Sequence, residues 1–328
     1  MRRVLVDHHH RVAFFWSPKC ASRSLADWIF VELMGGRRKT ELETQGKAEP
    51  EHGGPKGPHK KREFRSGSMV NKVYGTDFAT AAALIRSHGY LGVAFVRHPA
   101  RRVASAYLNK LVTHRAGFGN GFEGLEFFAR EAVSSVYEAT DRSVETQPFD
   151  GISMMELLDF IEDKAGLARK GDKLNAHWNY QVHRDLLNSG LRFDHVCTVE
   201  TLEEDFRPIQ ALFGSDLPIG ERNTTRTSHG TPVASDADLS AVPSMTLLGQ
   251  AVTAANLLHR PVLERIASIY APDYEFLGYD PFDLNAPPAI KAGNREQYRH
   301  QTLAQAMRGK AGIKRSGGLG GFFRRLSG

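Results

Sequence analysis

One stretch constrains this chain more than any other: Phe14-Phe15-Trp16-Ser17-Pro18-Lys19-Cys20-Ala21-Ser22-Arg23-Ser24-Leu25. Val12 to Trp16 is a short apolar run, the pattern of a strand covered on both faces. Leu25, Trp28, Ile29 and Leu33 then recur at helical spacing. A buried strand that breaks at Pro18 and re-forms as a helix points to an α/β fold. It also aims free backbone N–H groups and a positive dipole end at one spot, which suits an anion. Lys19 adds a full positive charge, and Ser22 and Ser24 add donors. An ordinary Ser-capped helix after a buried strand is the alternative, and this stretch alone leaves it open. The stretch is not a Walker loop, because no G-x-x-x-x-G-K-[ST] is present.

A second stretch repeats the design. Tyr90 to Val96 is another continuous apolar run, and it ends at Arg97-His98-Pro99. A helix follows in which Ala104, Tyr107, Leu108 and Leu111 share a face. Lys19 and Arg97 lie 78 residues apart. In a parallel sheet both strand ends reach one edge, where ligands of open α/β folds bind. One ligand with two separated anionic groups would satisfy both.

The remaining pattern fits a single α/β domain over residues 1–286. Arg3 to Trp16 reads as the first strand and Ser22 to Met34 as the first helix. Residues 37–68 are Gly, Pro, Lys, Glu and His with few apolar positions, a charged surface insertion. Helices are expected over Thr76–Ser87, Phe122–Val133, Met154–Ala165, Leu202–Phe213 and Met245–Tyr270, the last kinked or split at Pro261. Phe193 to Val199 reads as a further strand, and Tyr274 to Tyr279 closes the folded body.

Composition narrows the class. With 41% hydrophobic and 24% charged residues this is no disordered chain. No apolar run approaches the ~20 residues of a membrane-spanning helix, and the start lacks a signal peptide's apolar core. Cys20 and Cys197 provide neither a disulfide framework nor zinc spacing. A reducing, cytoplasmic setting is expected. The formal charge of +6 is concentrated in residues 287–328, which carry +8 and leave −2 for the rest. This Gly/Arg-rich tail is expected to be disordered. Phe322-Phe323 beside Arg324-Arg325 suggests weak contact with a membrane surface, which would make the protein peripheral to it. No nucleic-acid partner is expected.

The two anion motifs resemble those of sulfotransferases that use 3′-phosphoadenosine 5′-phosphosulfate (PAPS). Pro18 to Leu25 resembles their 5′-phosphosulfate loop. Arg97-His98-Pro99-Ala100-Arg101-Arg102-Val103-Ala104-Ser105-Ala106-Tyr107 resembles their 3′-phosphate motif, R-x-P-x-x-R-x-x-S-x-Y. His177-Trp178 with Gln181, Phe193 to Asp205, Asn223 in its Thr-rich loop and Ile269 to Tyr279 are similar to the carbohydrate (family 2) branch.

The resemblance implies a P-loop NTPase-like parallel sheet flanked by helices. It also implies PAPS as donor, 3′-phosphoadenosine 5′-phosphate (PAP) as product, and no metal. The acceptor would be a hydroxyl of a carbohydrate or glycolipid-like molecule. Lys19 would hold the sulfate end, with the N–H groups of Cys20, Ala21, Ser22, Arg23, Ser24 and Leu25 around it. Arg97 and Ser105 would hold the 3′-phosphate, while Arg102 is expected to pair with an acid of the fold. Cys20 is expected to be a packed small residue rather than a nucleophile. For the catalytic base, His177 is one candidate and Asp77, which could instead cap its helix, is the other. Two rivals stay open: a small-molecule kinase, and a non-catalytic protein that holds an anionic polymer.

Overall fold

Arg3 to Trp16 forms two strands, not one. In the structure, a computed structural model that describes residues 3–33, 73–113, 121–168, 174–182, 191, 193–220 and 230–290, β1 (Arg3–Asp7) folds back on β2 (Val12–Trp16). Arg3 stands opposite Trp16 and Asp7 opposite Val12. The reversal has a local cause. The buried Asp7 carboxylate accepts the backbone N–H groups of His9 (2.9 Å) and His10 (3.4 Å). Arg11 then turns the chain at φ 57°. A short connection suffices for an antiparallel hairpin, whereas a parallel pair needs a long crossover.

The sheet has five strands in the order β3-β1-β2-β4-β5, with β3 at Val73–Thr76, β4 at Leu91–Val96 and β5 at His195–Thr198. β2, β4 and β5 are mutually parallel neighbours, while β1 is antiparallel to both of its own. The expected parallel sheet is therefore mixed, because the hairpin reverses one strand.

Both faces of the sheet are covered. Phe14, Trp16, Val93 and Phe95 pack with Leu25, Trp28 and Ile29 of α1 (Ser22–Glu32) on one side. Ala13, Phe15, Ala94 and Val96 belong to the core on the other side. Alternate residues thus serve opposite cores, which is why these strands read as unbroken apolar runs. The helices that follow are α2 (Phe78–His88), α3 (Pro99–Tyr107), α4 (Phe127–Ala139) and α5 (Met154–Ala168). After β5 come α6 (Leu202–Phe213), α7 (Arg260–Ile269) and α8 (Ala271–Leu277).

Three helices differ from expectation: the one expected over Phe122–Val133 is a 3-10 turn at Phe122–Gly124 and, after a break, α4 at Phe127–Ala139. The region from Met245 to His259 is turns, held by a bridge between Thr231 and Gln250 and by Asn256 Oδ1 accepting from Thr253. Pro261 does not kink a longer helix; it stands in the first turn of α7, where its missing N–H costs nothing. The helix after Arg97 does reach Thr113, but from Leu108 onward it widens into a π-helical turn. Such turns occur often at functional sites. The 37–68 insertion, the tail beyond Ile290 and Asn223 lie outside the described residues.

Candidate active site

Trp16, Val96 and Thr198 end three parallel strands at one edge of the sheet, so the segments after them converge there. At the first junction the chain is strained. Lys19 (φ 71°) and Ala21 (φ 52°) both occupy the left-handed region, at a cost of about 1–2 kcal/mol each. Ala21 is also the N-cap of α1, where no side chain caps the helix. Cys20 N–H donates to Ser17 C=O at 3.1 Å, and Leu25 N–H makes the first helical bond, to Ala21 C=O at 2.9 Å. These two N–H groups are therefore engaged within the loop and helix, a correction to their expected role as anion donors. Ala21, Ser22, Arg23 and Ser24 stand ahead of that first helical bond. An uncapped helix end of this kind can accept an anion.

Cys20 is fully buried, and its Sγ lies 3.3 Å from Gln181 Oε1. Burial pushes the thiol up from its ordinary value, so it is a packed residue and not a nucleophile.

The second junction is built differently. His98 caps α3, its Nδ1 accepting Ala100 N–H at 3.2 Å while Nε2 lies 2.9 Å from Asp280 C=O. That pairing assigns the proton to Nε2. Burial pulls the imidazole below its usual value, which keeps Nδ1 free to accept. Pro99 follows in the first turn. With Ala100 N–H capped and no N–H on Pro99, this helix start offers less backbone than the first, and side chains are the main donors an anion would meet. Arg97 is the obvious one. Among the described residues its Nε is buried without a partner, and its Nη1 reaches Lys19 C=O at 3.5 Å. Burial pulls the guanidinium below its ordinary value, with Glu200 opposing that effect. A half-buried, under-satisfied guanidinium fits a phosphate. Ser105 is buried farther along the same helix.

A buried clamp joins the two junctions. Gln181 accepts Arg97 N–H (3.2 Å) and donates to Arg97 C=O (2.7 Å), while its own carbonyl accepts from Ser17 Oγ at 2.8 Å. Arg102 is fully buried and donates to three carbonyls: Pro18 at 3.1 Å, Asn179 at 2.8 Å and Ala176 at 2.9 Å. The expected carboxylate partner is replaced by backbone. The nearby acid, Asp273, receives Gln181 N–H (2.8 Å) and Val182 N–H (2.9 Å). Burial pushes its carboxyl up, and Arg102 and these two bonds oppose the shift.

Lys19 sits in the resulting cationic field. Its ammonium donates to Asn109 Oδ1 at 2.5 Å. Its pKa is lowered to about 7 by burial first, then by Lys110, Arg23 and Arg97, with Glu126 opposing. Asn109 comes from the π-helical turn, and the next residue, Lys110, is buried and ion-paired to Glu126. The sequence reading did not single out Asn109, Lys110 or Glu126. A polar Asn-Lys pair inside an apolar helical run was the only available signal.

The two candidate bases are placed as follows. Asp77 caps α2, accepting Thr80 N–H at 2.8 Å and Thr80 Oγ1 at 2.9 Å, and these bonds hold its carboxyl below the usual range. His177 stacks face to face on Phe128 at 4.6 Å. Its backbone N–H and its Nδ1 both meet Asn175 Oδ1, at 3.0 and 2.9 Å. That oxygen can only accept, so Nδ1 carries the proton.

Among the described residues, no group of three or more His, Cys, Asp or Glu is placed to hold a metal ion, and no helix is long and apolar enough to cross a membrane. Neither the curated proteins nor the solved structures give a match to the chain. A family model described as the sulfotransferase family matches residues 2–280. This chain therefore belongs to the sulfotransferase family: it is a transferase of sulfuryl groups.

Proposed function

We propose that this enzyme moves a sulfuryl group from PAPS to a hydroxyl of a carbohydrate or glycolipid-like acceptor and releases PAP. The observation that carries the donor assignment is Arg97. A half-buried guanidinium whose Nε has no partner among the described residues, one carbonyl away from the Lys19 loop, calls for a second anionic group on the same ligand. The R-x-P-x-x-R-x-x-S-x-Y spacing supports the same assignment, with Arg97 and Ser105 on the 3′-phosphate. The acceptor class rests on the similarity of His177-Trp178, Gln181 and Ile269 to Tyr279 to the carbohydrate branch.

In this reading the N–H groups of Ala21 to Ser24 and the Lys19 ammonium hold the phosphosulfate. Sulfuryl transfer needs in-line geometry and stabilisation of the charge that builds on the leaving oxygen. Lys19, fixed by Asn109, supplies that charge, and burial strengthens its effect. Gln181 and Arg102 keep the two anion loops in register.

The test is transfer of label from [35S]PAPS to a panel of glycosides. Labelled glycoside is expected from the wild type and not from Lys19→Ala. Label on no acceptor from an enzyme that binds PAP would exclude the carbohydrate class. Wild-type transfer by both Lys19→Ala and Arg97→Ala would overturn the donor site.

A further inference from the structure

We propose that Glu126 is the general base that takes the proton of the acceptor hydroxyl, a step that rests on the sulfuryl-transfer reading above. The carboxylate stands at the N-cap position of α4 yet makes no side-chain bond to the helix it begins. It reaches instead to Lys110. Lys110 and Asn109 are neighbours on the π-helical turn, so one short segment grips Lys19 with one residue and Glu126 with the next. A single element thus anchors both the leaving-group cation and the carboxylate. Their proximity is also electrical, because Glu126 is the carboxylate acting on the Lys19 ammonium.

Glu126 is both anchored and accessible. Its side chain is 44% exposed although Lys110 beneath it is buried, so one side is fixed and the other is open to an incoming hydroxyl. The next residue, Phe127, is 79% exposed, so the start of α4 faces solvent. Asp77 is exposed as well, but both of its oxygens accept from Thr80, and the His177 ring is stacked on Phe128.

The step balances without a further reactant. The acceptor oxygen attacks sulfur as Glu126 takes the hydroxyl proton. The sulfur–oxygen bond to the 5′-phosphate breaks, and its electron pair goes to the phosphate oxygen beside Lys19. The products are the sulfate ester, PAP and one proton on Glu126, which water then removes.

The experiment uses the full chain, [35S]PAPS as donor, and aryl glycosides with water as acceptors, so that sulfate release counts as turnover. PAP binding is measured on the same samples by calorimetry. Glu126→Gln is expected to lower kcat by about 10²–10³-fold for every acceptor, water included, and to leave the PAP Kd within about threefold. Glu126→Asp keeps the charge that buried Lys110 needs and draws the carboxylate back by one methylene. It therefore decides the matter even where the Gln variant weakens the fold. It should bind PAP normally and lose at least tenfold in kcat, with acceptor KM little changed. Wild-type kcat in either variant overturns the assignment and leaves the donor site standing. Absence of PAP binding by the wild type overturns the donor reading itself, and this inference with it.

Discussion

The two strand-to-helix junctions look alike in sequence and are built on opposite principles. After β2 the chain accepts two left-handed residues and leaves α1 without a cap. After β4 the chain is unstrained, and His98 and Pro99 complete the start of α3. The first junction can therefore offer backbone N–H groups and one lysine. The second offers side chains, chiefly Arg97. A phosphosulfate that must be held while charge shifts between its oxygens gains from a preorganised nest. A phosphate that is only an anchor needs no more than a charged fork.

That contrast can be broken at its link or at either side. The largest effect is expected from Arg102→Ala, which leaves the Pro18, Asn179 and Ala176 carbonyls without their donor. Unfolding in denaturant should show a loss of about 3–5 kcal/mol. A loss below 1 kcal/mol would mean the junctions are not joined through this residue.

Lys19→Ala should follow, with kcat down about 10²–10³-fold in sulfate transfer. A related effect needs no mutation. Because its surroundings lower the Lys19 pKa to about 7, the ammonium loses its proton above that pH in the free protein. Bound anion favours the charged form, so PAP affinity should be greatest below pH 7 and fall by up to tenfold per unit above it. Calorimetry at pH 8 in two buffers of different ionisation enthalpy should show proton uptake on binding. Equal heats in both buffers would contradict the assignment.

Smaller effects separate cap from nest. His98→Ala should destabilise the fold by about 1–2 kcal/mol in thermal melts and leave PAP binding nearly unchanged. Ala21→Gly should do the reverse, stabilising by about 1 kcal/mol as φ 52° becomes unstrained. A destabilised Ala21→Gly would show that the left-handed turn carries no strain.

Much of this was legible in the sequence where one periodicity ruled one element. The bounds of α6, Leu202–Phe213, follow from its apolar spacing, and β2 and β4 follow from their runs. The convergence of Lys19 and Arg97 at one sheet edge followed from two similar junctions. What escaped was set by tertiary bonds. The hairpin turn depends on a buried Asp7 that local pattern does not mark as buried. Lys19 and Ala21 adopt positive φ without glycine, so composition carried no sign of the nest. Arg102 reads as a partner for an acid until three distant carbonyls surround it. Widening of the helix at Leu108 left no trace in its apolar spacing, so nothing there singled out Asn109 and Lys110. Glu126 lies 16 residues beyond Lys110, and only the fold brings the two together.

The most direct test of the division of labour compares PAP with adenosine 5′-phosphate, which lacks only the 3′-phosphate, on wild type, Lys19→Ala and Arg97→Ala. Titration calorimetry should show wild type preferring PAP by about 10–100-fold. Arg97→Ala should erase that preference, whereas Lys19→Ala should weaken both ligands and keep their ratio. An Arg97→Ala protein that still prefers PAP as strongly as wild type would contradict the account at its centre.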